Sequence, residues 1–177
     1  LTVIHDICDQ QFASINDLFQ AIGTSLLKSM GGASGVLYAT LFVGGLADEQ
    51  KTDRFTTDFF NKTFSKAFKV MKIRGRSMEG QKTLLDTIGP ATRELTASAS
   101  AMNPLSITVA KTAEAAYEGC MNTCNMIAGC GRSRKLGEAA LGVPDPGAVS
   151  SYILFASIDE YVNGNKAKEI NFRCYSK

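Results

Sequence analysis

Gly31-Gly32-Ala33-Ser34-Gly35, the turn from Gly75 to Gly80 and the stretch from Gly129 to Gly147 hold the residue types in this chain that could do chemistry. Each lies where one helical pattern stops and the next begins. Small residues ahead of a helix let an anion approach unpaired backbone N–H groups at the positive end of the helix dipole, and Ser34 adds a hydroxyl donor. The first turn lacks the Gly-x4-Gly-Lys-Ser/Thr order of a P-loop and follows no strand, so on these residues alone it reads equally as a phosphate cradle or as a tight helix–helix turn. Asp145-Pro146-Gly147 has a structural explanation of its own, because Asp at N-cap followed by Pro at the first helical position is a standard helix start. Just upstream, Arg132 and Arg134 in Gly131-Arg132-Ser133-Arg134 either hold an anion with a guanidinium fork or sit in the loop as solvated cations.

Other chemistries are poorly supplied. The chain has a single histidine, His5, so a multi-histidine metal site or a two-histidine relay cannot be built. Cys120, Cys124 and Cys130 cluster in sequence, but Cys-x3-Cys-x5-Cys offers three thiolates where a structural zinc wants four ligands, and free thiols are expected. Five cysteines make a poor disulfide framework in a chain this long, so a reducing cytoplasm is expected. Nineteen Lys and Arg against 17 Asp and Glu leave a net charge of +2, too weak a field to argue for nucleic acid. The longest apolar stretch, Val36 to Val43, is far shorter than the roughly 20 residues that span a bilayer. Leu1 to Asp6 contain neither a signal-peptide pattern nor an initiating Met, and the chain is expected to be incomplete at its N-terminus.

The elements that must position the glycine turns are helices throughout. Ile15, Phe19, Ile22 and Leu26 form a stripe with Ser14 and Asn16 as candidate caps. A second helix starts at Gly31 to Ser34 and runs towards Gly45, and a third carries Phe60, Phe64, Phe68 and Met71 as core. Thr83 to Ala99 reads as a helix that Pro90 kinks or restarts. Asn103-Pro104 reads as cap and first residue of the next, which continues to about Met126. Gly129 to Gly147 is a loop interrupted near Leu136 to Ala140, Val149 to Val162 is a last helix, and the polar tail from Asn163 is expected to fray. No segment alternates as a strand does, so the class is all-α.

Three sets of strings, in this order, resemble the DhaL family, the nucleotide-binding subunit of dihydroxyacetone kinases. They are Lys28-Ser29-Met30-Gly31-Gly32-Ala33-Ser34-Gly35; Gly80-Gln81-Lys82-Thr83-Leu84-Leu85-Asp86 with Pro90-Ala91; and Gly131-Arg132-Ser133, Leu136-Gly137-Glu138 and Asp145-Pro146-Gly147-Ala148. The resemblance covers roughly residues 1 to 160. It implies an antiparallel helical barrel spanning residues 1–162, followed by the tail 163–177, with ADP or ATP and Mg²⁺ bound at one rim. It carries Ala33 and Ser34, entered through Gly32, to the phosphates, Gly75 and Leu84 to the adenine side, and Asp145, Pro146 and Gly147 to the rest of the pocket. Arg132 would face the phosphates as the catalytic cation, where its charge suits a transferring phosphoryl group.

The implied activity is transfer of the γ-phosphoryl group to dihydroxyacetone or a related ketose held on a histidine of a DhaK partner, within glycerol metabolism. A DhaM phosphotransferase-system protein would recharge the ADP in many bacteria. An ADP-loaded module acting on a transcriptional regulator is the alternative. The family holds magnesium with aspartates in a Gly-Asp-x-Asp-His-Gly loop, and no such string occurs here. Leu1 aligns just downstream of that loop, so the metal ligands are expected upstream of Leu1 and none in this chain, with Asp6 and Asp9 on the solvent face of the following helix. Without metal between the β- and γ-phosphates, these residues alone are expected to bind nucleotide weakly and transfer nothing. Lys135 also departs from the family, which usually carries an aromatic there.

Overall fold

The apolar stripes wind into helices in a computed structural model that describes residues 2–170 and 172. The helices are α1 Thr2–Ile7, α2 Ile15–Ser29, α3 Gly32–Val43, α4 Thr57–Gly75, α5 Leu85–Ser100, α6 Leu105–Asn122 and α7 Pro146–Asn163. No strand occurs among the described residues. The chain forms two compact units, Leu1–Arg76 and Ser77–Lys177.

In the first unit α2, α3 and α4 run up, down and up. Phe19 of α2 meets Phe42 of α3 at 5.4 Å between ring centroids, Gly23 packs on Ala39 and Val43, and Gly35 lies against Met30 in the short turn that joins the helices, so α2 and α3 run antiparallel. Phe42 meets Phe64 at 6.4 Å while the Arg74 guanidinium donates to the Thr40 hydroxyl at 3.0 Å, so α4 runs back along α3. Phe59, Phe60, Phe64, Phe68 and Met71 are all buried, and the rings of Phe60 and Phe64 stand edge to face at 4.6 Å. Each such aromatic pair contributes about 0.5–1.5 kcal/mol beyond the area it buries. Ser14 is the cap of α2, accepting from the Asp17 amide at 3.1 Å, whereas Asn16 is not a cap. The Asn16 side chain accepts from the amide of Thr52 at 3.1 Å and pins the loop between α3 and α4. Asp9 follows the end of α1 in a turn, and the side chain of Asp6 lies outside the described set.

The second unit repeats the up-down-up scheme with α5, α6 and α7. Gly119 of α6 packs on Asp86, Thr87 and Pro90 at the start of α5, while the Asn103 amide ahead of α6 donates to Ser98 near its end. Tyr117 meets Tyr152 at 5.3 Å, and Asn163 reaches the Ser106 carbonyl at 2.8 Å, setting α7 against α6. Of the two alternatives for Pro90 the restart does not occur, because α5 is one continuous element with Pro90 inside it. The proline lies near its start, where the missing N–H costs a single bond to the carbonyl four residues back. Asn103 is not the cap of α6. Pro104 occupies that position with no side-chain bond, because the Asn103 amide is already committed to Ser98. The helix stops at Asn122 and tightens into a 3-10 turn, Thr123–Asn125.

The polar tail was expected to fray from Asn163, and over its described part it is held instead. The Tyr152 hydroxyl donates to the Lys168 carbonyl at 3.1 Å, Lys168 pairs with Glu114 at 2.5 Å, and Asn165 donates to Asp159 at 3.2 Å. The expectation of free thiols is corrected at Cys124, which is disulfide-bonded, while Cys8, Cys120 and Cys130 are free. Burial pushes the Cys120 thiol up to about 11, with the Asp145 carboxylate adding to the effect, so it stays protonated and acts as core. No helix of the described residues is long and apolar enough to cross a membrane.

Candidate functional site

In the first unit, α2 closes and α3 opens within three residues. Met30 caps α2 by donating its N–H to the Leu26 carbonyl at 2.9 Å, and Gly31 then stands as the N-cap of α3 in extended conformation with no side-chain cap. Gly31, Gly32, Ala33 and Ser34 are all exposed. The first-turn N–H groups, which no helix can satisfy from within, therefore face solvent with no carboxylate or hydroxyl drawn back over them. Gly32 has φ +71, a left-handed conformation that glycine adopts freely. Gly75 is the last residue of α4 and belongs to the same unit, followed by Arg76 in the left-handed region.

In the second unit, Leu84, Asp145, Pro146 and Gly147 come together. A Cβ on Gly147 would lie 3.3 Å from that of Leu84, so the start of α7 packs directly on the residue that leads into α5. Asp145 caps α7, its carboxylate accepting from the Ala148 amide at 3.0 Å, and Pro146 takes the first helical position. Leu84 is itself buried and serves the core as much as the corner. Arg132 opens a 3-10 stretch, Arg132–Ala140, that is interrupted at Gly137, and its side chain lies outside the described set. Arg134 and Lys135 are exposed there. Gln81 ties this loop back: its carbonyl accepts from the Gly129 amide at 3.1 Å, and its side-chain oxygen accepts from the Met78 amide at 3.0 Å.

The two helix starts differ in electrostatics. Asp145 already puts a carboxylate at the α7 start and accepts from the amides of Ala148 and Gly147, so these first-turn donors are taken and are not open to an anion. The α3 start carries no such charge and is the one fitted to an anion. Burial pushes the Asp145 carboxyl up, opposed by the amides of Ala148 and Gly147 and by the charge of Lys82.

Sequence patterns alone pass over three residues at the α7 corner. Asp86 is buried and accepts from the amides of Gly80 and Thr83, the latter at 2.7 Å. Lys82, 2% exposed, donates to the carbonyls of Thr123 at 2.6 Å and Val143 at 2.7 Å. Thr123 accepts from the Asp145 amide at 2.9 Å. One signal was legible: Thr83-x-x-Asp86 is a capping pattern at the head of an apolar run. Nothing in the local sequence marks Lys82 or Thr123 as buried.

Magnesium finds no fit in these residues. Among those described, no group of three His, Cys, Asp or Glu side chains could hold a metal ion, and no step below is routed through one.

Fold and corners together define an all-helical protein that presents glycine-opened helix starts, a class without the strand-borne phosphate loop of doubly wound nucleotide-binding proteins. The chain belongs to the DAK2 domain family, which it matches over residues 2–160. It is 34% identical over 160 residues to the triokinase/FMN cyclase of Rattus norvegicus, covering 88% of this chain and 26% of that protein. It is 32% identical over 146 residues to the ADP-binding subunit DhaL of PEP-dependent dihydroxyacetone kinase 2 of Listeria innocua, covering 82% and 67%. The crystal structure of the dihydroxyacetone kinase of C. freundii in its native form superimposes with a TM-score of 0.62 at 26% identity, covering 84% of this chain and 24% of that one. The chain thus spans about a quarter of the triokinase/FMN cyclase and of the dihydroxyacetone kinase, and about two thirds of the DhaL subunit.

Proposed function

We propose that this chain is the nucleotide-binding part of a dihydroxyacetone-type kinase. It presents ADP or ATP for phosphoryl transfer to dihydroxyacetone or a related ketose on a DhaK-type partner, with Mg²⁺ held by ligands other than the described residues. The observation that carries the reading is the exposed start of α3, which has no side-chain cap and is opened by Gly31 and Gly32, in a chain of the DAK2 family. In this reading the amides at Gly32, Ala33 and Ser34 bind the diphosphate. The family resemblance assigns Leu84, Asp145, Pro146 and Gly147, and separately Gly75, to the adenosine portion, and Arg132 to the phosphoryl group. Recharging of ADP by a DhaM-type protein, contact with a transcriptional regulator and a cytoplasmic setting go with the same proposal.

Thermal unfolding in the presence of ADP tests it, because a ligand that binds only the folded state stabilises by mass action, about 2.7 kcal/mol at a hundred times its Kd. The expected result is a rise in midpoint with ADP that Gly32→Val abolishes. The left-handed backbone at Gly32 makes valine cost about 1–2 kcal/mol, so the variant stays folded and its binding can be read separately. An unchanged ADP response in folded Gly32→Val would exclude the cradle. Arg132→Ala, assayed with the partner subunit, is expected to lower turnover more than ADP affinity; equal losses in both would remove its phosphoryl-facing role.

A further inference from the structure

We propose that Lys82 is a positioning residue for the nucleotide: its buried ammonium fastens the segment Val143–Asp145 to the end of α6 and so fixes the Pro146–Gly147 corner. The inference rests on the nucleotide-binding reading above.

Lys82 has φ +56, a backbone conformation that costs a non-glycine residue about 1–2 kcal/mol and persists only where surrounding contacts repay it. The contacts are two carbonyls from separate parts of the chain. One is that of Thr123, in the turn that ends α6, and the other is that of Val143, two residues before the cap of α7. Three further bonds support the same join: the Thr123 hydroxyl accepts from the Asp145 amide while donating to the Cys120 carbonyl at 2.6 Å, and the Gly142 amide donates to the Cys124 carbonyl at 2.9 Å.

The residues between these anchors form a largely exposed 3-10 stretch broken at Gly137, which cannot by itself set where α7 begins. Lys82 and Thr123 set it. Burial pushes the Lys82 ammonium down from its ordinary pKa, and the carboxylates of Asp145 and Asp86 oppose that cost without outweighing it. A lysine kept only to fill space would be better replaced by methionine, which has a similar stem and no desolvation cost. What methionine cannot do is join two carbonyls.

Lys82→Met, Lys82→Arg and Thr123→Val in the full chain test the proposal by two readouts. The first is hydrogen exchange of the amides in 142–149 without nucleotide, and the second is ADP affinity by calorimetry. In folded Lys82→Met, exchange in 142–149 is expected to rise about tenfold more than elsewhere in the second unit, with ADP Kd raised about tenfold. Lys82→Arg should recover part of both. Thr123→Val should move both the same way, and it decides the question if Lys82→Met fails to fold. Folded variants whose ADP Kd stays within about twofold of the native value, or whose exchange rises evenly over the unit, would reduce Lys82 to a stabilising residue and overturn the proposal. If the native chain binds no ADP, the functional reading fails. The exchange arm, which uses no nucleotide, still upholds or overturns the fastening of 142–149.

Discussion

Asp86→Ala is expected to lower the unfolding free energy by about 2–4 kcal/mol, because two backbone amides lose a charged acceptor at about 1.5–3 kcal/mol each before water replaces part of it. The carboxylate is 4% exposed and accepts from the backbone amides of Gly80 and Thr83 and from the Thr83 hydroxyl. Alanine leaves the amides of Gly80, which is exposed, and of Thr83, which is half-buried, without their acceptor at the head of α5. It also takes away one of the two carboxylates that favour the charged form of Lys82. Asp86→Asn keeps the shape and one acceptor oxygen and should lose less. Chemical denaturation of both variants provides the measurement, and a loss below about 1 kcal/mol for alanine would mean that water replaces the carboxylate at that turn.

Gly35→Val is the second large effect, with an expected cost of about 3 kcal/mol or more from forced overpacking. A Cβ at Gly35 would lie 2.0 Å from the Met30 carbonyl oxygen and 2.9 Å from its carbon, which are backbone atoms and cannot swing aside. Met30 is itself tied by its amide to Leu26 at the end of α2, so the strain has to move the start of α3. Gly32 is the useful contrast. A Cβ there meets nothing within 4 Å, and its substitution is strained only through φ. Thermal midpoints should therefore fall much further for Gly35→Val than for Gly32→Ala. Equal falls would show that the α2–α3 turn relaxes around the added carbon.

How the helices begin and end was legible where the signal is local. Ser14 ahead of Asp17, Asp145 ahead of Pro146 and the glycines at 31 and 32 each announce a helix start, and each stands at one. The same logic failed at Asn103, whose side chain had a nearer partner in Ser98 than the amides of α6. At Pro90 the restart did not occur, because a proline in the second turn removes one bond without ending the helix. Of the site, the sequence identified the corners and, through the order of the three sets of strings, the family. It did not show which corner suits an anion. That depended on whether the first-turn amides are left open, as at α3, or covered by a carboxylate, as at α7.

Residue order alone determined that this protein is helical, where most of its turns fall and which family it joins, because helix periodicity and capping are interactions between residues a few positions apart. Only the tertiary structure decided that Lys82 is buried and reaches partners 41 and 61 positions away. A lysine between a glutamine and a threonine looks the same in sequence whether its ammonium meets water or two carbonyls, and the difference lies in how α5, α6 and α7 pack around it.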